Sequence, residues 1–136
     1  MPSGRYLRTA ILGWVQGDAM PTAPTSVWLH LCTGAPAAAT LGTAPTIGGY
    51  APIEIEPADW AAISTGANRD TLSPTAAITF GPFDDAGDET ATHFMITLNE
   101  VPDTDELIAY GALGASRLMT DGGVVTIGAG DLDLLA

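Results

Sequence analysis

The seven residues Ser26-Val27-Trp28-Leu29-His30-Leu31-Cys32 decide the fold class. Successive side chains of an extended chain point to opposite faces, so Val27, Leu29 and Leu31 share one face and Trp28, His30 and Cys32 the other. Apolar side chains stand on both, which is the pattern of a strand covered on two sides rather than one.

Outward from this strand the punctuation is dense. Pro21, Pro24, Gly34, Pro36, Gly42, Pro45, Gly48 and Gly49 leave only short segments between turns, and short segments between turns are strands. Tyr50–Glu56 sets Ile53 and Ile55 against Glu54 and Glu56, a strand with one wet face, and Pro52 and Pro57 push it to an edge or limit its length. Ala76–Phe80, His93–Leu98, Leu107–Leu113 and Val124–Ile127 read as further strands of about five to seven residues. Asp121-Gly122-Gly123, between Arg117–Thr120 and Val124–Ile127, predicts a hairpin that makes the last two strands antiparallel neighbours.

Only the opening segment has a helical period. Leu7, Ile11, Trp14 and Val15 recur at helical intervals over Tyr6–Val15, with Arg5 and Arg8 among them, before Gly17 and Pro21 stop the run. The helix is expected to lay this apolar stripe over an edge or open end of the strands. No later segment is long enough for a helical crossover, so an antiparallel arrangement fits better than a parallel sheet. The sequence therefore predicts a mainly β protein: an antiparallel β-sandwich or jelly-roll-like barrel of seven or eight strands with one short N-terminal helix. Residues 1–20 form an arm and residues 21–136 a single β-sandwich domain. Ala35–Gly49, small and uncharged, is expected to be an extended loop that adds little core, and Asp84–Thr92 a weakly structured acidic stretch.

Composition narrows the function. Of 136 residues 46% are hydrophobic and only 15% charged, so much of the surface is small and nearly neutral. Four arginines and no lysine against 16 acids give a net charge of −12, which argues against nucleic acid and against an anionic membrane, since both draw affinity from Lys and Arg. The N-terminal apolar stretch is too short and too broken for a signal peptide or a membrane span, the pattern of a cytosolic product. A single cysteine, Cys32, provides neither an internal disulfide nor a metal-ligand spacing.

No catalytic constellation outweighs a structural reading, and no cofactor or metal is expected. His30 and His93 each lie within a strand without a second ligand nearby, and are read as imidazoles bonded to a neighbouring strand. Cys32 shares a strand face with His30, but at a spacing too wide for easy proton exchange. The acidic run Asp84, Asp85, Asp88, Glu89 lacks the alternating ligands of a calcium loop, and Glu100, Asp103, Asp105 and Glu106 read as a charged turn. The glycine pairs lack a phosphate-loop setting, and Gly-x-Ser-x-Gly is absent. What remains is a surface suited to other chains. Arg5, Tyr6, Arg8, Trp14, Trp28 and Trp60 are the candidate partner-binding residues, two cations on an otherwise acidic chain beside large aromatics of the kind enriched at interfaces.

The order of segments carries a resemblance. PTAPTSVWLHLCTGAP (Pro21–Pro36), GGYAPIEIEPADW (Gly48–Trp60), SPTAAITFGPF (Ser73–Phe83), THFMI (Thr92–Ile96), IAYGALGASR (Ile108–Arg117) and TIGAGDLDL (Thr126–Leu134) resemble, in order and over nearly the whole chain, a family of small tailed-bacteriophage virion proteins labelled tail fibre or minor structural proteins. The chain departs from that family after Gly-Gly-Tyr, where an Arg is frequent and Pro52 stands here. The resemblance implies a virion structural protein without catalytic residues, assembled in the host cytoplasm. With no repeat or heptad for a shaft, the chain is expected to be a capsid decoration (cement) protein that bridges major capsid subunits through Pro2–Val15, and to form a trimer. The alternative is a tail fibre or baseplate component that contacts a host receptor. A carbohydrate-binding module using Trp28 or Trp60 is a third possibility.

Overall fold

The chain runs α1 (Arg5–Val15), β1 (Val27–Cys32), β2 (Ile53–Ile55), β3 (Ser64–Thr65), β4 (Asp70–Leu72), β5 (Ile78–Phe80), β6 (Glu89–Thr97), β7 (Leu107–Met119), β8 (Val125–Ile127) and β9 (Leu134–Leu135). The computed structural model describes residues 3–84, 87–129, 132 and 134–135. Every strand pair is antiparallel: β2-β1-β6-β7 form a four-stranded sheet, β5-β8 a two-stranded ribbon and β3-β4-β9 a small three-stranded sheet. These pairings make a sandwich, without the two four-stranded sheets of a jelly roll.

β1 is buried on both faces, as its sequence requires. Leu29 and Leu31 join Phe94 and Ile96 of β6, Ile78 and Phe80 of β5, and Val125 and Ile127 of β8 in the main core. On the other face Cys32, Met95 and Leu107 form a second cluster, against which Leu41 and Tyr110 pack. Proline-flanked β2 is an edge strand, with Val27 opposite Ile55 and Leu29 opposite Ile53.

Because β2 ends at Leu29, the Leu31 peptide group has no strand partner on that side. The Tyr50 hydroxyl fills the gap, accepting from the Leu31 N–H at 3.0 Å and donating to the Leu31 carbonyl at 3.3 Å, while its ring stacks on Phe80. One phenol thus does for β1 what another strand residue would do, and burial pushes its ionisation upward.

Three expectations need correction. First, Asp121-Gly122-Gly123 does not join hairpin partners, because β8 pairs with β5 through Ile78↔Ile127 and Phe80↔Val125. Gly122 has a φ of 73° but Asp121 has no positive φ, so the Thr120–Gly123 turn lacks the two left-handed residues of the common hairpin turn, and turns of this kind splay their flanking strands. The segment after β5 captures the turn: Gly122 N–H donates to the Phe83 carbonyl at 2.7 Å and Phe83 N–H to Gly123 at 3.0 Å.

Second, Ala35–Gly49 is a folded loop, not an extended one. It is bridged at Gly34↔Thr43 and Ala37↔Thr40, and Ile47 enters the main core. Third, Glu89, placed by sequence in a weakly structured stretch, opens β6 and holds that loop. Its carboxylate accepts from Thr46 N–H at 2.8 Å, Ile47 N–H at 3.0 Å and Thr46 Oγ1 at 2.6 Å.

Tyr50→Phe keeps the ring stack and removes only the hydroxyl that serves the Leu31 peptide. An unsatisfied buried backbone group costs about 1–3 kcal/mol, so the variant is expected to unfold at lower urea with an unchanged m-value; an unchanged midpoint would show that the phenol carries none of this stability.

Candidate functional site

α1 is held to the body at its N-terminal end by polar contacts. Ser3 bridges to Ala109 at the outer edge of β7, and Gly4 N–H donates to the Ile108 carbonyl at 2.6 Å. Position 4 must be glycine, since a Cβ there would collide with the Leu107 carbonyl. Arg5 Nη1 lies 3.2 Å from Asp105 Oδ1, the one ion pair among the described residues, with both side chains largely exposed. An ion pair in that setting is worth about 0–1 kcal/mol, so it orients the helix more than it stabilises it.

Of the predicted apolar stripe only Leu7 is partly buried; Ile11, Trp14 and Val15 do not pack against the body. No residue of α1 is buried; Leu12 is 64% exposed, Trp14 61% and Val15 71%, with Ile11 and Met20 also open. The reason is which side of the helix faces inward. Tyr6, Thr9, Ala10 and Gly13 line a cleft of about 630 Å³ with the returning residues Asp18 and Pro21, so that side of the helix carries a tyrosine and small residues rather than Ile11, Trp14 and Val15. Periodicity reveals that a helix has an apolar face but not what covers it.

The helix is also electrostatically odd. Gly4 offers no side-chain cap, the first turn holds no acid and the last no base. Arg5 and Arg8 instead stand in the first two turns, near the positive end of the helix dipole, where cations are mildly unfavourable. Arg8 is exposed, with no ion pair among the described residues.

Of the six candidate partner-binding residues, Arg5, Tyr6, Arg8 and Trp14 therefore share one projecting helix. Trp28 and Trp60 lie elsewhere: Trp28 is half-buried in β1 opposite Glu54 and Thr97, and Trp60 packs against the main core with a bridge to Pro74. Sequence reading missed a second open surface at the far edge of the sheet. There β2 and the approach to β5 leave a cleft of about 230 Å³ walled by Ile53, Pro74, Ala76 and Ala77 and also lined by the acidic residues Glu54 and Asp59. The only hint was the Glu54/Glu56 alternation in a strand confined to an edge.

The groups with possible chemistry are locked into structure. His30 Nε2 lies 2.8 Å from Thr97 Oγ1, which in turn donates to the Asn99 carbonyl at 2.8 Å, so the buried imidazole is held within its own strands. Burial holds the His30 pKa down at about 4 and pushes the Cys32 thiol up to about 12, the reverse of an activated pair. His93, half-buried, has Nδ1 2.8 Å from Thr92 Oγ1. Asp85 lies outside the described residues, as do Gly130, Asp131 and Asp133 of the closing segment; among the described residues no group of three or more His, Cys, Asp or Glu side chains is placed to hold a metal.

Among the described residues the chain is a β-sandwich that carries an exposed apolar helix and ties its buried polar groups up in its own strands. Residues 3–135 match the family described as podophage GP4 fiber I protein gp80, and the chain belongs to that family of phage structural proteins. Comparison with curated proteins gives no match.

The depressed His30 pKa fixes a pH dependence. The unfolded chain binds a proton near pH 6.5 and the folded one only near 4, so the neutral ring's stability is complete above 6.5 and lost as pH falls from 6.5 to 4. Over that window the loss attributable to His30 is about 3 kcal/mol. Urea melts at pH 7 and 4.5 should show a shallower decline for His30→Gln than for the native protein; parallel declines would remove His30 as the cause.

Proposed function

We propose that the protein is a non-enzymatic structural component on the outside of a tailed-phage particle, held there through α1. The observation that carries this is the exposure of Ile11, Leu12, Trp14 and Val15 on a helix whose cleft-lining side is instead formed by Tyr6, Thr9, Ala10 and Gly13. The chain exposes 7496 Å² against about 6,700 Å² for an average monomer of this mass, an excess in the direction an unpartnered arm produces. Contiguous apolar exposure of this kind marks a surface made to be covered.

The fibre description of the family supports a tail-side position, as a small fibre or baseplate-proximal component. Capsid decoration is the second reading. It is favoured by the sandwich itself, whose strands bury one another and extend into no shaft. Copy number separates the two: a decoration protein is present in hundreds per virion and a tail protein in a handful. Immunogold labelling of intact virions, with gel band intensity relative to the major capsid protein, reads both position and number.

Ile11→Ser with Trp14→Ser alters only exposed side chains, and such substitutions usually change stability by no more than about 0.5 kcal/mol. The double variant should melt like the native protein yet enter particles at least tenfold less when supplied in trans. Normal incorporation would show that α1 is not the attachment element.

A further inference from the structure

The proposed role leaves open what covers α1, and the molecule presents a matching surface of its own. We infer that α1 of one copy docks, head to tail, into the cleft between β2 and β5 of a second copy of this chain. The inference rests on the reading of α1 as the assembly element and names its occupant.

Three observations carry it. The first is complementarity. α1 offers an apolar stripe, Ile11, Trp14 and Val15, beside the unpaired cation Arg8, and contains no acid. The β2/β5 cleft offers apolar walls, Ile53, Pro74, Ala76 and Ala77, and is also lined by the exposed acidic residues Glu54 and Asp59. Side chains three and four apart on a helix are usual anchors of a helix in a groove, and Trp14 and Val15 stand three and four residues after Ile11. On a chain of net charge −12, a cationic helix and an acidic groove are the two surfaces where contact between copies is not opposed by like charge.

The second is placement. α1 is fastened to β7, whereas the cleft is built on β2, and these are opposite edges of the sheet β2-β1-β6-β7. Three inter-strand spacings, about 14 Å, separate the edges. With Gly4 and Arg5 pinned at the β7 side, the helix of one chain leaves its own cleft empty and meets the cleft of a neighbour. Two different patches on opposite edges make a heterologous contact, the type that closes into a ring when the rotation allows.

The third is what the length of α1 excludes. Eleven residues are three turns, about one and a half heptads, too few for copies to associate as a free-standing coiled coil. Packing helices together would also collect the Arg8 side chains with no acid on α1 to offset them. A groove supplies the second wall that a short helix lacks.

The test is sedimentation equilibrium on the purified full-length chain, without virions, at concentrations spanning micromolar to millimolar. The native protein is expected to form a defined oligomer, Arg8→Glu and Glu54→Arg each to raise its dissociation constant at least tenfold, and the double variant Arg8→Glu/Glu54→Arg to recover it to within about threefold. Far-ultraviolet circular dichroism confirms that each variant is folded, and both residues are exposed, so loss of fold is not the expected cause of any change. A 13.9 kDa monomer at every concentration overturns the inference and leaves α1 to a different virion protein, with the proposed role intact. An oligomer indifferent to either charge reversal, or two single losses that the double reversal fails to restore, also overturns it. Failure of the proposed role itself reads differently: the chain would self-associate as described yet be missing from purified particles.

Discussion

The pairing of β1 with β6, two strands covered on both faces, is the constraint on which the rest of the molecule depends. Leu31 stands opposite Phe94 and Cys32 opposite His93, so each step along the pair sends side chains into both clusters at once. One face demands the β5–β8 ribbon. The other demands Leu107 and the folded loop that carries Leu41. The far end of that loop returns to the first face, where Ile47 enters the main core and the Glu89 carboxylate accepts from the Thr46 and Ile47 N–H groups. The sparse charge and the abundance of small residues follow, since segments that lie flat on a buried sheet have little room for long charged side chains.

How much of this was legible depended on whether the signal was local. The two-sided alternation of Ser26–Cys32 and the proline-bounded alternation of Tyr50–Glu56 identified a central and an edge strand correctly, because burial imprints a period of two. The helix was legible for the same reason, with its start displaced by one residue. Pairing was not. Asp121-Gly122-Gly123 is a turn, but whether its flanks pair depends on Phe83, some forty residues earlier, which binds both ends of it. β3 and β4 carry too few and too polar residues to show any period.

The site divided along the same line. Arg5, Tyr6, Arg8 and Trp14 were found because they share eleven residues of sequence, while Trp28 and Trp60 were chosen for their residue type alone and lie in other parts of the fold. The β2/β5 cleft joins residues 53–59 to residues 74–79 and has no sequence signature of its own. What the folded chain adds is polarity along the sheet: a projecting, cationic, apolar element at one edge and a recessed, acidic one at the other. A symmetric sandwich could only stack, whereas this one has a direction.

The bond between Gly4 and Ile108 also orders events in time. It joins residues 104 positions apart, so it forms only after β7 has emerged and paired, and contacts this remote in sequence are the slow ones to make. A three-turn helix with no side-chain cap at its N-terminus, and with its cations at that unfavourable end, holds little structure by itself until that bond and the Asp105 pair are in place. A coherent adhesive face therefore arises late, on a chain whose core is already closed. Nascent and partly folded copies therefore display no organised apolar helix face.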